Sequence, residues 1–283
     1  MLALITPTRR RWNWLVRQAE IVAAQLDSDD RWIIVRDNDR PVAGFASPDY
    51  SWSRSWLRKK SGRGRELRQN SCEFRYSTVR EFLPGPRIIR ARIREHDVCD
   101  EIETLIGRGR LVWVDLNYAR PVPPVACVNA ARNAGAALAP AGCDLVEVDD
   151  HDLLEPLALA QIRHAFASGC DYVFGDFHQQ AIVESPDGRS VLETWPDVKH
   201  DYRPGGFTRG EIEAIGVRAI RRELWDRLGG WSNKVWPCAD YDFATRAEAV
   251  GANIICLDQP LCTVTVEAES LSGEYRGESQ GGR

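Results

Sequence analysis

The sequence lacks the features that mark membrane-spanning and disulfide-stabilised proteins. No apolar run approaches the roughly 20 residues that a transmembrane helix needs, and the run Leu2–Ile5 is too short for a signal peptide. The eight cysteines are scattered and form no C-x-x-C pair, so we expect reduced cysteines rather than disulfides or structural zinc. These absences predict a cytoplasmic protein without a transmembrane segment.

Lysine and repeated segments are also scarce. The only lysines are Lys59, Lys60, Lys199 and Lys234, the formal net charge is −4, and no internal repeat is visible. This balance provides no overall attraction to nucleic acid. With 283 residues, of which 43% are hydrophobic and 28% charged, the chain has the composition of a soluble globular protein with a sizeable core.

Strand and helix patterns alternate along most of the chain. The helical pattern Trp12–Leu26 lies between the apolar strands Leu2–Thr6, closed by Pro7, and Trp32–Val35, which predicts a βαβ unit with parallel strands. We therefore predict an α/β fold with a mostly parallel central sheet flanked by helices. The further predicted strands are Leu111–Val114, Asp144–Val148, Asp171–Phe177, a hairpin over Ala181–Trp195 and strands within Ala252–Val266. The further predicted helices are Val128–Gly142, Leu153–Ser168, Ala219–Leu228 and Tyr241–Val250.

The section from about residue 42 to residue 109 interrupts this alternation. It predicts an irregular basic insertion after the second strand, with a short helix at Val98–Ile106, inside a single domain of residues 1–265 that precedes a flexible tail of residues 266–283. A basic block, Arg54–Arg68, carries seven cationic side chains and a single acid, Glu66. Two interpretations stay open: a solvated loop, or a surface for an anionic polymer or lipid headgroup.

Carboxylates follow the ends of two predicted strands. Asp37 and Asp39 follow the second strand, and the acid segment Asp149–Asp152, with the sequence DDHD, follows the strand Asp144–Val148. Ligands of open α/β sheets bind beyond the carboxyl ends of the strands. Like charges this close raise one another's pKa unless a cation lies among them, which favours a Mg²⁺ or Mn²⁺ site beside phosphate. The alternative is capping of the next helix, for which one Asp would be enough.

Short motifs occur in the order seen in family 2 glycosyltransferases of the GT-A fold. They are LITPTRRR, IIVRDND, AARNAGAALAPAG followed by LVEVDDHDLLEP, and AIRRELWDRLGGW followed by ADYDFATRAEAVG. The chain resembles this family over about Leu2–Asp39 and Leu111–Val266. The resemblance implies a GT-A (Rossmann-like) fold and a hexosyltransferase-type enzyme. Such an enzyme moves a sugar from a nucleotide-diphosphate sugar, here a UDP-sugar, to an acceptor hydroxyl with Mn²⁺ or Mg²⁺. The acceptor, whether glycan, protein, lipid or modified nucleic acid, stays open.

The resemblance also implies roles for particular residues. Those expected to hold the nucleotide sugar are Thr6, Pro7, Thr8, Asp37, Asp39, Arg132, Asn133, Asp149 and Asp150. The implied metal ligands are Asp152, Asp150 and His151, which stands where the family commonly has Asp. Imidazole suits Mn²⁺ better than Mg²⁺. The alternative for AARNAG is a plain helix whose arginine points to solvent.

Asp240 of the motif CADYDFATR matches the general base of inverting members, with Ala239 in place of the family's Glu. In that role it takes the proton from the acceptor hydroxyl. The alternative is that Asp240 and Asp242 cap the following helix while Arg246 pairs with one of them at i,i+4. Trp231 has two interpretations, a sugar-stacking residue on the acceptor side or a core residue.

Other functions fit parts of the same pattern. A nucleotidyltransferase shares the carboxylates and the metal, but TPTRRR lacks the glycine-rich loop expected after its first strand. His151 and Ala239 allow a catalytically inactive protein that binds nucleotide or nucleic acid. The basic block allows an enzyme that glycosylates modified nucleic acid, for which salt-sensitive DNA binding would be the sign.

Overall fold

The computed structural model describes residues 1–8, 12–37, 87–90, 104–105, 108–117, 124–184, 190–212, 215–232 and 239–267. One ten-stranded sheet with helices on both faces runs through them, which confirms the predicted α/β fold. The strands are β1 (Leu2–Thr8), β2 (Arg31–Asp37), β3 (Arg87–Arg90), β4 (Leu111–Asn117), β5 (Asp144–Glu147), β6 (Leu153–Leu154), β7 (Tyr172–Glu184), β8 (Ser190–Val198), β9 (Arg218–Ile220) and β10 (Ile254–Glu267). The helices are α1 (Trp12–Gln25), α2 (Pro124–Leu138), α3 (Ala158–Ala167), α4 (Arg222–Leu228) and α5 (Ala239–Ala249).

The sheet has the strand order β3-β4-β2-β1-β5-β9-β7-β10-β6, and β8 pairs with β7. Strands β4, β2, β1 and β5 are parallel neighbours, and β7 and β10 form a further parallel pair. Because β9 runs antiparallel to both β5 and β7, those two strands share one direction. Most of the described strands therefore point the same way, and their carboxyl ends define the edge where a ligand site is expected.

Alternate residues of the inner strands feed two separate apolar cores. Leu4 of β1 belongs to the core that α1 and α3 cover through residues such as Leu15 and Ile162. Its neighbour Ile5 faces the other core, which α2, α4 and α5 cover through residues such as Phe243. Successive side chains of a strand point to opposite faces, so inner strands with few polar residues fit between two helical layers.

The helix predicted over Leu153–Ser168 is wrong at its start. Residues 153–154 form β6, which pairs antiparallel with β10, and α3 begins only after Leu157. Leu157 has φ 73°, a left-handed conformation that a right-handed helix cannot include. The apolar residues before it are compatible with either element, and pairing with β10 decides between them.

Strand pairing corrects two further predictions. The helix predicted from Ala219 begins at Arg222, because residues 218–220 form β9 between β5 and β7. The section predicted to be irregular contains β3, which pairs antiparallel with β4. Both strands depend on partners that are distant in sequence.

Most other elements are confirmed with shifted ends. Helix α2 runs from Pro124 to Leu138 rather than from Val128 to Gly142. The hairpin is confirmed by the pairing of β7 with β8, and the last predicted strands form the single strand β10 with two register shifts. Cysteines 143, 170, 256 and 262 are free thiols, as expected. None of the helices in the described ranges is long and apolar enough to cross a bilayer.

Helix α2 lies directly on β1 and β2 at Gly135. A Cβ atom at this position would lie 2.5 Å from Cγ2 of Ile5 and 3.3 Å from Cγ2 of Val35. Both neighbours are β-branched and have little freedom at χ1. Because the same helix carries Arg132 and Asn133, this close contact sets the height of both side chains above the sheet.

We expect Gly135→Ala to lower the free energy of unfolding by about 1–3 kcal/mol through overpacking, even though alanine has about 1 kcal/mol better helix propensity than glycine. Urea denaturation measures the change. Ala137→Ser, on the exposed side of α2, is the control and should stay within about 0.5 kcal/mol of the parent. An unchanged or increased stability of Gly135→Ala would show that the helix can move away from the strands.

Candidate functional site

The acid segment leaves β5 at the edge of the sheet where β1 also ends. Thr8, the last residue of β1, donates a hydrogen bond from its hydroxyl to Asp150 Oδ2 at 2.8 Å. The two residues are 142 positions apart in sequence, and parallel pairing of β1 with β5 brings them together. Thr8 and Asp150, both expected to contact the nucleotide sugar, therefore form one buried polar group at the strand ends.

A cluster of buried ion pairs lies beneath the acid segment. Glu147, the last residue of β5, has no solvent exposure and accepts a hydrogen bond from Arg218 Nε at 3.1 Å, while Arg132 Nε lies 3.8 Å away. Arg132 Nη2 donates to Asp149 Oδ1 at 2.7 Å, and Arg218 Nη2 lies 3.8 Å from the same oxygen. We call these four residues the ion-pair cluster. Two carboxylates thus face two guanidinium groups, so the charges of the cluster balance, with 32% of the Asp149 side chain exposed and the other three side chains buried.

The two acids of the ion-pair cluster have pKa values that are shifted in opposite directions. Burial by itself raises the pKa of the Asp149 carboxyl, but attraction to Arg132 and Arg218 is stronger in sum and holds that pKa below its usual range. Burial also raises the pKa of Glu147, and there the same two guanidinium groups reduce the rise without cancelling it. Arg132 is buried, which excludes the interpretation in which it points to solvent.

The indole ring of Trp231 packs against the ion-pair cluster. The guanidinium carbons of Arg132 and Arg218 lie 5.2 and 5.3 Å from its ring centroid, within the range of cation–π attraction. Its indole N–H donates to Glu147, and only 2% of the residue is exposed. The core interpretation of Trp231 is therefore the correct one.

Asn133 holds the turn that carries Trp231. Its side-chain oxygen accepts the backbone N–H of Trp231 at 2.9 Å, and its amide donates to the backbone carbonyl of the same residue at 3.0 Å. Gly230 precedes this contact with φ 73°, and a Cβ there would lie 2.7 Å from Asn133 Oδ1. The Asn133 amide is thus occupied by the protein's own backbone.

His151 lies between two carboxylates of the acid segment. Its Nδ1 is 3.1 Å from Asp150 Oδ1, and its Nε2 is 3.9 Å from Asp152 Oδ1. Burial lowers the pKa of the imidazole, but the neighbouring carboxylates, Asp152 foremost, raise it more and keep the ring protonated at neutral pH. Burial raises the pKa of Asp152, the attraction of His151 opposes the rise, and Asp149 adds to it.

One carboxylate oxygen of Asp152 can still accept a hydrogen bond or bind a cation. The side chain is buried, and within the described ranges its Oδ1 atom accepts no hydrogen bond. A buried carboxylate oxygen without a donor is costly, and a cation would remove that cost. Asp152 thus has the properties expected of a metal ligand.

The acid segment does not cap a helix. Strand β6 separates it from α3, whose N-cap position is Leu157 and lacks a side-chain hydrogen bond. Instead the segment turns on itself through a hydrogen bond from the Asp152 N–H to the Asp149 carbonyl at 3.1 Å. The capping interpretation is therefore wrong, and the gathering of acids needs another explanation.

Asp240 lies in the first turn of α5 and is partly buried. Its Oδ1 accepts the N–H of Tyr241 at 2.9 Å. Burial raises the pKa of Tyr172, and the negative charge of Asp240 adds to that rise. Burial lowers the pKa of Arg218, but nearby carboxylates, Asp149 foremost and Asp240 among them, raise it more. Asp240 is therefore within electrostatic reach of the ion-pair cluster. Asp242, by contrast, is bound by Arg246 Nε at 2.9 Å, as the i,i+4 interpretation predicted.

The other residues expected to hold the nucleotide occupy this edge in different ways. Thr6 is buried and its hydroxyl accepts a hydrogen bond from Trp32 Nε1 at 3.0 Å, so it supports the core. Strand β1 was predicted to close at Pro7 but continues through it to Thr8, paired with β2. Proline has no backbone N–H to donate, and the pairing of β1 with β5 has already ended at Ile5, so β5 requires no hydrogen bond from Pro7. Asp37 ends β2 at this edge. Its side chain, Asp39 and the basic block lie outside the described residues, so their binding roles stay predictions.

Two members of the ion-pair cluster were missed in the sequence. Glu147 and Arg218 are charged residues next to apolar residues in short strands, and both are buried. A charge in such a position requires a buried partner of opposite sign. The segments DLVEV and GVRAI each contain such a charged residue next to apolar ones, but the sequence does not show which residue of opposite charge pairs with it.

The fold resembles that of solved glycosyltransferases at low sequence identity. TarS 1–349 of S. aureus in complex with UDP aligns with a TM-score of 0.52 and 14% identity over 95% of this chain and 61% of that chain. The mannosyltransferase PcManGT from Pyrobaculum calidifontis, in complex with GDP-Man and Mn²⁺, gives 0.50 and 15% over 93% and 56%. GalNAc-T7 with UDP, GalNAc and Mn²⁺ gives 0.50 and 12% over 96% and 44%.

These likenesses show the GT-A fold, as the sequence predicted. The chain spans less than two thirds of the length of these structures. No protein-family model and no curated protein matches the chain. Membership of family 2 therefore stays a prediction.

Removal of the Glu147 charge tests the ion-pair cluster. We expect Glu147→Gln to lower the free energy of unfolding by about 3–5 kcal/mol, because it leaves two buried guanidinium groups with one carboxylate. The control is Asp201→Asn, which removes the partner of Arg203 in a pair whose side chains are 82% and 73% exposed and should cost less than about 1 kcal/mol. Equal losses in the two variants, measured by urea denaturation, would rule out a charge-balanced cluster.

Proposed function

We propose that this protein is a metal-dependent glycosyltransferase that uses a nucleotide-diphosphate sugar, with UDP as the nucleotide. The observation that carries the proposal is the acid segment at the carboxyl ends of the parallel strands of a GT-A fold, where the buried Asp152 oxygen accepts no hydrogen bond from described residues. The neighbours in complex with UDP, with UDP, GalNAc and Mn²⁺, or with GDP-Man and Mn²⁺ share this fold and support the same class of donor.

The acid segment supplies the types of ligand atom that a divalent cation takes. Asp150 and Asp152 offer carboxylate oxygens, and His151 between them offers a nitrogen once its proton has left. This mixed set favours Mn²⁺ over Mg²⁺. When bound, the ion would offset the charge that develops on the leaving diphosphate.

Asp149 has a different role from its neighbours. Its Oδ1 is bound by Arg132, and the proximity of Arg218 helps to keep it ionised. We infer that Asp149 fixes the start of the acid segment and turns Asp150 and Asp152 towards the crevice. Arg132 and Arg218 then act on the donor through Asp149, since their guanidinium groups are buried in the ion-pair cluster.

Asp240 is our candidate for the general base. Its carboxylate is partly exposed at the start of α5, and the hydrogen bond from Tyr241 leaves its second oxygen able to accept a proton. In an inverting displacement the acceptor oxygen bonds to the anomeric carbon as the bond to the diphosphate breaks. The hydroxyl proton passes to Asp240 in the same step.

Donor binding is tested by thermal unfolding with UDP-sugars and GDP-sugars, each with and without Mn²⁺. We expect one nucleotide sugar to raise the unfolding midpoint only when Mn²⁺ is present, because a ligand that binds the native state stabilises it. Asp152→Asn should abolish the rise, and the exposed control Asp29→Asn should retain it. A midpoint raised by DNA but by no nucleotide would replace this proposal with a nucleic-acid-binding function.

Asp240→Asn separates catalysis from binding. We expect the rate of UDP release from the bound donor, with water or an added polyol as acceptor, to fall by about 10²–10⁴. The Mn²⁺-dependent rise of the unfolding midpoint should persist, because we do not assign Asp240 as a ligand of the metal ion or of the diphosphate. The control Asp242→Asn removes the partner of Arg246 and should lower stability rather than the rate. A rate within a few-fold of the parent would exclude Asp240 as the base.

A further inference from the structure

A second group of potential metal ligands lies on β7 and β10, away from the acid segment. Asp176 of β7, His200 just after β8 and Cys256 of β10 each offer one ligand atom, and these atoms lie within 4.8 Å of one another. Asp176 Oδ1 accepts the backbone N–H of His200 at 2.8 Å and lies 3.5 Å from His200 Nδ1. Carboxylate, imidazole and thiol thus converge from three different elements.

The sheet itself arranges this group. Cys256 pairs with Phe174, and Asp176 follows two positions later on the same face of β7. Asp176 pairs with Pro260, and the register between β7 and β10 shifts on both sides of this pair, an irregularity of the kind that re-aims side chains next to functional sites. The His200 ring is held edge-on to Phe174, with centroids 5.3 Å apart. The ligand positions are therefore held by strands and packed rings.

The chemistry of the three groups differs from that of the acid segment. Thiolate, imidazole and carboxylate together are ligands of Zn²⁺ and similar borderline-soft ions, whereas Mg²⁺ takes oxygen ligands. Burial, with the charges of Asp176 and Asp258, raises the pKa of the Cys256 thiol to about 12. An ion that binds here must therefore displace the thiol proton.

We propose that Asp176, His200 and Cys256 form a second metal site, with three protein ligands, for a divalent transition metal ion of the Zn²⁺ type. The site is separate from the acid segment. Asp152 accepts a hydrogen bond from the Thr265 backbone N–H, and Thr265 pairs with Gln180, four residues along β7 from the proposed ligand Asp176. That separation corresponds to about 13 Å of extended strand.

An ion at this site stabilises the segment after β8, which contacts helix α5. It joins β7 and β10 to the segment after β8, where Tyr202 and the Phe207 N–H both donate to Glu248 of α5 at 3.1 Å. Phe207 also packs edge-on against Tyr241, with centroids 6.0 Å apart. Because Asp240 lies in the first turn of the same helix, the second site steadies the candidate base without touching it.

Cobalt substitution tests this site with a readout that does not depend on activity. The metal-free protein is titrated with Co²⁺ and observed in the near ultraviolet, where thiolate-to-cobalt charge transfer absorbs. We expect a saturating band that Zn²⁺ abolishes and that is absent in Cys256→Ser. Cys170→Ala, which removes another buried free thiol, is the matched control and should retain the band. His200→Gln and Asp176→Asn should each weaken Zn²⁺ binding at least about tenfold in calorimetry.

A titration without the cobalt–thiolate band, or a band of unchanged intensity in Cys256→Ser, would overturn the second site. If Cys256→Ser does not fold, alkylation of the parent mapped by peptide mass spectrometry replaces it. Zn²⁺ must then protect Cys256 from the reagent, and unprotected labelling would equally overturn the proposal. The Asp152→Asn variant should keep the cobalt band, so failure of the donor site and failure of the second site give different results.

Discussion

The burial of the Glu147 carboxylate is the constraint on which the candidate site depends. A charge without solvent contact is stable only when opposite charges and hydrogen-bond donors surround it. Here Arg132 from α2, Arg218 from β9 and the indole of Trp231 after α4 do so. One carboxylate at the end of β5 therefore holds three separate elements in fixed positions at the edge where the strands end.

The same arginines explain why an acid segment can follow directly. They neutralise Asp149, Thr8 donates to Asp150, and His151 lies between Asp150 and Asp152. Mutual repulsion is thereby reduced at each step, and an oxygen of Asp152 is left for a cation. Within the acid segment, Asp149 therefore anchors the chain, and Asp150 and Asp152 are available to a ligand.

Local patterns predicted the part of the fold that local forces determine. The βαβ unit around α1 and the placement of the acid segment beyond β5 follow from periodicity and strand polarity. Strands β6 and β9 could not be predicted, because their partners are distant in sequence. Leu153 pairs with Thr263, 110 positions away, Val146 with Ala219, 73 positions away, and Phe174 with Arg218, 44 positions away. The same limit applies to Glu147, Arg218 and the ligands of the second site, since each group is assembled from distant elements.

Binding of a metal ion and the donor diphosphate by the acid segment is tested most directly by anomalous X-ray diffraction from crystals grown with Mn²⁺ and UDP. The anomalous signal of manganese locates the ion without reliance on activity or on an acceptor. We predict a peak at coordination distance from Asp150 or Asp152 and from a diphosphate oxygen. Density for UDP without a manganese peak at the acid segment, or a peak only at Asp176, His200 and Cys256, would contradict the proposed donor site.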